Sequence, residues 1–188
     1  MLTKQDKRSF PEPDCRDLIG LFNGLFEGEN TCLVRGDGEP VYLPASPDGK
    51  KAQVIFAHGF FASALHEVAH WLIAGARRRQ LLDYGYWYEP DGRTAEQQVE
   101  FERVEVKPQA MEWILSHACG VRFRISVDNL SGESTDSGPF KQAVLHQVQV
   151  FCAQGLEARA RLLVSELCEY YGSSNPLQVE QYTLSELD

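Results

Sequence analysis

The sequence predicts a single α+β domain, rich in helix, with a small sheet near its N-terminal end. Three observations carry this. The 188 residues are 43% hydrophobic, enough for one sizeable core. Short apolar or alternating runs, the signature of strands, lie mainly before residue 58. Beyond it, apolar residues recur mostly at helical spacing.

The elements follow in order. Residues 1–13 are polar, carry Pro11 and Pro13, and read as a flexible arm. Residues 15–26 place Leu18, Leu21, Phe22 and Leu25 on one face behind a capping Asp14, which predicts a short amphipathic helix. Residues 31–45 read as two short strands with Gly36-Asp37-Gly38 at the turn. Residues 52–58 are a buried strand. The longest clear helix is expected from about Ala62 to Leu82, with Leu65, Val68 or Ala69, Leu72 and Ala76 as its apolar stripe. Residues 83–93 form an aromatic loop. Thr94 caps the next helix, and Pro108 is expected to start a separate one that ends at Gly120, because a proline disfavours helical backbone in the residue before it. Residues 121–130 alternate like a strand. Two helices then follow, broken near Gly155. The acidic tail, 173–188, shows little periodicity and reads as partly extended or disordered, which leaves 14–172 as the metal-binding catalytic domain.

Charge and cysteines narrow the function. Eighteen basic and 27 acidic residues give a net charge of −9, a poor match to nucleic acid or an anionic membrane. No apolar run reaches the roughly 20 residues needed to span a bilayer. The N-terminal stretch has no signal-like apolar segment. A cytoplasmic location is therefore expected. Five scattered cysteines lack zinc or redox spacing and read as small buried hydrophobes.

The chemistry sits in His66-Glu67-x-x-His70. On a helix, residues four apart share a face, so both imidazoles can reach one metal ion. A third ligand is needed. Glu100, Glu102, Glu105, Asp83, Asp91, His117 and His146 are candidates, with Glu102 and Glu105 prominent just before Pro108. Two histidines and a carboxylate suit an iron(II) that activates dioxygen, and equally a zinc that activates water. Spacing does not separate the two metals.

The blocks "EPVYLPA", "VIFAHGFFASALHEVAHWLIAG", "LLDYGYWYEPDGR" and "FERVEVKPQAMEWI" resemble the elongation factor P hydroxylase family of bacteria, with weaker similarity through "DNLSG". The resemblance implies hydroxylation of a β-lysylated lysine on elongation factor P. It implies a divalent metal, iron(II), with His66, His70 and Glu105 as its ligands, and dioxygen; the electron source stays open. In such a site Glu67 is expected to act as a catalytic carboxylate that orients a ligand or a bound water, or relays a proton. The resemblance also implies a fold other than the jelly-roll oxygenases, and the sequence lacks their His-x-Asp on an alternating strand. Tyr86, Trp87, Asp91 and Arg93 are expected to meet the cationic substrate side chain. Two rival readings share the motif: a zinc peptidase with Glu67 as general base, and a metal-stabilised module that binds a basic protein loop.

Overall fold

The computed structural model describes residues 13–86, 91–127 and 136–187. Helix α1, Cys15–Leu25, starts where Asp14 accepts the Arg16 backbone N–H. It turns Leu18 and Phe22 fully inward. Strands β1 (Thr31–Arg35), β2 (Val41–Leu43) and β3 (Ala52–Phe56) follow. Their order is β1-β3-β2. Strand β3 pairs parallel with β1 and antiparallel with β2. The glycine-rich turn after β1 therefore joins strands that are not neighbours, and β3, the most apolar of the three, takes the centre.

Helix α2, Phe61–Ile73, begins behind a left-handed His58–Gly59 turn. It is shorter than the sequence suggests. At Ala74 the backbone becomes extended, and Arg159 donates to the Leu72 and Ala74 carbonyls at 3.2 and 2.8 Å. Those bonds satisfy carbonyls that an ended helix leaves without partners. Residues up to Gly85 then form two tight turns, Arg78–Gln80 and Leu82–Gly85.

Helix α3, Ala95–Ala118, opens with a capping box between Thr94 and Gln97. It runs unbroken through Pro108, where the sequence predicted a boundary. Proline removes one backbone hydrogen bond and costs about 3 kcal/mol in a helix interior. Here Pro108 and every residue from it to Ser116 are buried, in a helix that packs against α2, α4 and α5, while Lys107 just before it is exposed. Burial of that C-terminal half outweighs the local preference. Helices α4 (Gly138–Gln154) and α5 (Ala158–Tyr171) complete the bundle, broken near Gly155 as expected.

Two other expectations change. Residues 121–127 pair with no strand among the described residues. The backbone of Ser126 and Val127 bonds instead to side chains of α3 and Arg93. The tail is also ordered by packing. It forms turns at Val179–Gln181 and Leu184–Leu187, and buries Tyr182 and Leu187. The Tyr182 ring stacks on His117 at 4.5 Å and meets the edge of Trp113 at 5.0 Å. Residues 1–12 of the arm and all of "DNLSG", 128–132, lie outside the described residues.

Candidate metal centre

Helix α2 carries His66 and His70 one turn apart, and α3 packs against that face. The two Nε2 atoms lie 3.1 Å apart. Glu105 projects from the middle of α3, not from a helix end. Its Oε1 lies 3.2 Å from His70 Nε2, and its Oε2 3.5 Å from His66 Nε2. Among the described residues these three form a cluster whose ligand atoms all fall within 4.8 Å of one another.

The donor set fits a metal ion. Glu105 is only 1% exposed, and its Oε1 is buried without accepting a hydrogen bond. A buried polar atom left in that state is costly, unless a cation meets it. Two imidazole nitrogens and a carboxylate oxygen pointing at one place are a typical metal donor set.

Electrostatics agree. Burial alone would lower the His66 pKa. The Glu105 charge, the Glu112 hydrogen bond and charge, and Glu67 outweigh it and hold it at about 10. Burial would raise the Glu105 carboxyl, but His70 and His66 bring it down to about 2. Desolvation pushes both Glu67 and Glu112 up. Such opposed shifts on adjacent groups mark functional sites more often than plain surfaces.

Sequence reasoning missed Glu112. Its Oε2 lies 2.8 Å from His66 Nδ1. A carboxylate on the far nitrogen fixes the tautomer that leaves Nε2 free to ligate. A signal was present: Gln98, Glu105 and Glu112 recur every seven residues, and all are buried on α3. Two of the three, Glu105 and Glu112, meet the histidines, while Gln98 bonds to Arg93, Glu102 and the Val127 carbonyl.

The remaining candidates fall elsewhere. Asp83 accepts the Tyr42 backbone N–H at 2.8 Å, and Glu100 pairs with Arg103. His117 holds the tail and His146 is exposed. Glu102 accepts from Gln98 and, with Tyr86, lines a cleft of about 610 Å³ that reaches His70. The Arg78 guanidinium lies 3.9 Å over the Tyr86 ring, so one aromatic face is already covered. Asp91 is exposed. Arg93 is buried, bonds to Gln98 and the Val127 carbonyl, and lies over Phe101 at 3.8 Å. Its contacts are those of a core anchor. Trp87 lies outside the described residues.

Tyr84 is an unexpected neighbour. Its ring stacks almost parallel on His70 at 6.1 Å and on Tyr42 at 4.2 Å. Both Asp83 and Tyr84 have left-handed backbone, which is strained for non-glycine residues. The Arg78 bond to the Tyr84 carbonyl and the Asp83 bond to Tyr42 hold this turn in place.

The sequence profile of one family, described as elongation factor P hydroxylase, matches residues 21–182. A curated protein of Haemophilus influenzae, named elongation factor P lysine hydroxylase, is 49% identical over 175 residues. That alignment covers 93% of this chain and 98% of the relative. The match runs through the strands, the two helices that carry the histidines and Glu105, and the tail as far as Tyr182, and on that breadth the chain belongs to the elongation factor P hydroxylase family.

Proposed function

We propose that this chain is an oxygen-dependent protein hydroxylase that acts on the β-lysylated lysine of elongation factor P. Its metal, iron(II), would be held by His66, His70 and Glu105. The observation that carries the reading is the convergence of those three side chains from two helices. Family membership supplies the reaction class and the substrate protein. A bound iron(II) with three protein ligands supplies dioxygen activation through its open positions.

The chain's own residues do the rest. Glu112 keeps the His66 Nδ1 proton in place, so that Nε2 presents its lone pair. The Tyr84 ring limits rotation of His70 by stacking on it. Burial of Glu105 keeps water from competing for its oxygens. The cleft beside His70 has an apolar wall of Ile73, Val106 and Phe140, which suits the methylenes of a long lysine derivative. Glu102 lines the same cleft, beside Arg78, Arg103 and Lys107, and would receive its ammonium.

The test is mass spectrometry of β-lysylated elongation factor P after aerobic incubation with iron-loaded protein and a reductant. A gain of one oxygen atom on the modified lysine, lost with His66→Ala or His70→Ala, is expected. No gain with a demonstrably metal-loaded protein overturns the reading.

A further inference from the structure

Gln109 lies on α3 one turn after Glu105, and both are 1% exposed. Its side-chain amide pairs with the backbone of a single residue. Nε2 donates to the Ser126 carbonyl at 2.8 Å, and Oε1 accepts the Ser126 N–H at 3.0 Å. Turning the amide over would set donor against donor and acceptor against acceptor, so its orientation is determined. Once one Nε2 hydrogen is committed to Ser126, one remains. The atom within its reach is Glu105 Oε2, at 3.5 Å. The backbone that imposes this is itself anchored, because the Val127 carbonyl receives Arg93 at 2.9 Å and Gln98 at 3.1 Å.

We propose that Gln109 is a positioning residue for the metal ligand Glu105. The Ser126 backbone locks the amide, and the amide aims its second N–H at Oε2. That contact sets the rotation of the carboxylate, and so keeps Oε1 directed at His70. The inference rests on the metal reading above and assigns a task to a residue that touches neither metal nor substrate. It also gives residues 121–127 a role: they are a fixed backbone reference beside the ligand.

Cobalt(II) is the probe, because its visible absorption reports ligand geometry without any turnover. Gln109→Met keeps the length and removes both polar atoms. It is expected to weaken cobalt binding by about 10–100-fold, the usual cost of losing an outer-sphere partner, and to change the visible spectrum. Tyr182→Phe is the control. It removes a buried hydrogen bond to the Pro176 carbonyl that involves neither Glu105 nor the backbone that locks Gln109, and should lower thermal stability while leaving the cobalt spectrum as in the wild type. Should Gln109→Met fail to fold, Gln109→Asn withdraws the amide by one methylene and is read in the same way. Unchanged cobalt affinity and spectrum in the folded Gln109 variant overturn the proposal, as does an equal loss in Tyr182→Phe. A wild type that takes up no cobalt overturns the metal assignment and this proposal together.

Discussion

At the scale of single residues, Glu67 separates hydroxylase from peptidase. A peptidase needs it as general base, and losing such a base costs about 10²–10⁴-fold. Desolvation raises its carboxyl, which makes a neutral replacement mild. Glu67→Gln is therefore expected to keep the metal and to lower hydroxylation by less than that range, read by metal analysis and initial rates. Zinc-loaded wild type should cleave no peptide; cleavage lost in Glu67→Gln would favour the peptidase. His66 gives the pH behaviour. Its pKa is about 10 when folded, against an ordinary 6.5. In chelator-treated protein, its stabilising contribution is full below 6.5 and is lost as the pH rises towards 10. Glu105 acts in the opposite sense, contributing above its ordinary 4.5 and failing as the pH falls towards 2. Melting temperatures should therefore fall at both ends. Metal should flatten the alkaline slope, because a ligating nitrogen no longer holds that proton. An alkaline slope that metal leaves unchanged would remove His66 from the ligand set.

At the scale of elements, the two histidines of the candidate site were legible because helical spacing alone puts them on one face. The carboxylate was legible as a candidate, yet its place mid-helix was not, since Pro108 argues locally for a break that only long-range burial overrides. The end of α2 was hidden for a similar reason. Its stop depends on Arg159, which comes from α5, far along the chain. That dependence is testable. Arg159→Leu removes two charged hydrogen bonds to α2 and the guanidinium over Trp71, at 4.4 Å. Hydrogen bonds of this kind are worth about 1.5–3 kcal/mol, and a loss of that size is expected in urea unfolding. A change within a few tenths would mean that water replaces the arginine. Residues 121–127 were misread because their alternation fits a strand, whereas their hydrogen-bond partners are side chains that no local pattern reveals.

At the scale of the whole molecule, the tail behaves as part of the core. Tyr182 is 4% exposed, bonds to the Pro176 carbonyl and stacks on His117. Removing a buried aromatic costs about 3–5 kcal/mol. Tyr182→Ala should lower stability by that order, and deletion of 173–188 by at least as much, measured by chemical denaturation. An unchanged midpoint would return the tail to a surface role. Acidic composition concealed this, because the few apolar residues that anchor the tail are spaced without regular period.

The ligand set has a further consequence for how the molecule is assembled. His70 and Glu105 stand on successive helices, separated by the tight turns and the left-handed Asp83–Tyr84 pair. Under the proposed assignment, an ion bound between them would be a removable cross-link that closes a ring of chain. The three-ligand site would form only once both helices have docked, so folding would come first and loading second. At a free metal concentration of 100 times the Kd, loading adds about 2.7 kcal/mol to the folded state. Under the proposed ligand set, the supply of metal would thereby set how long the folded chain survives as well as whether it works.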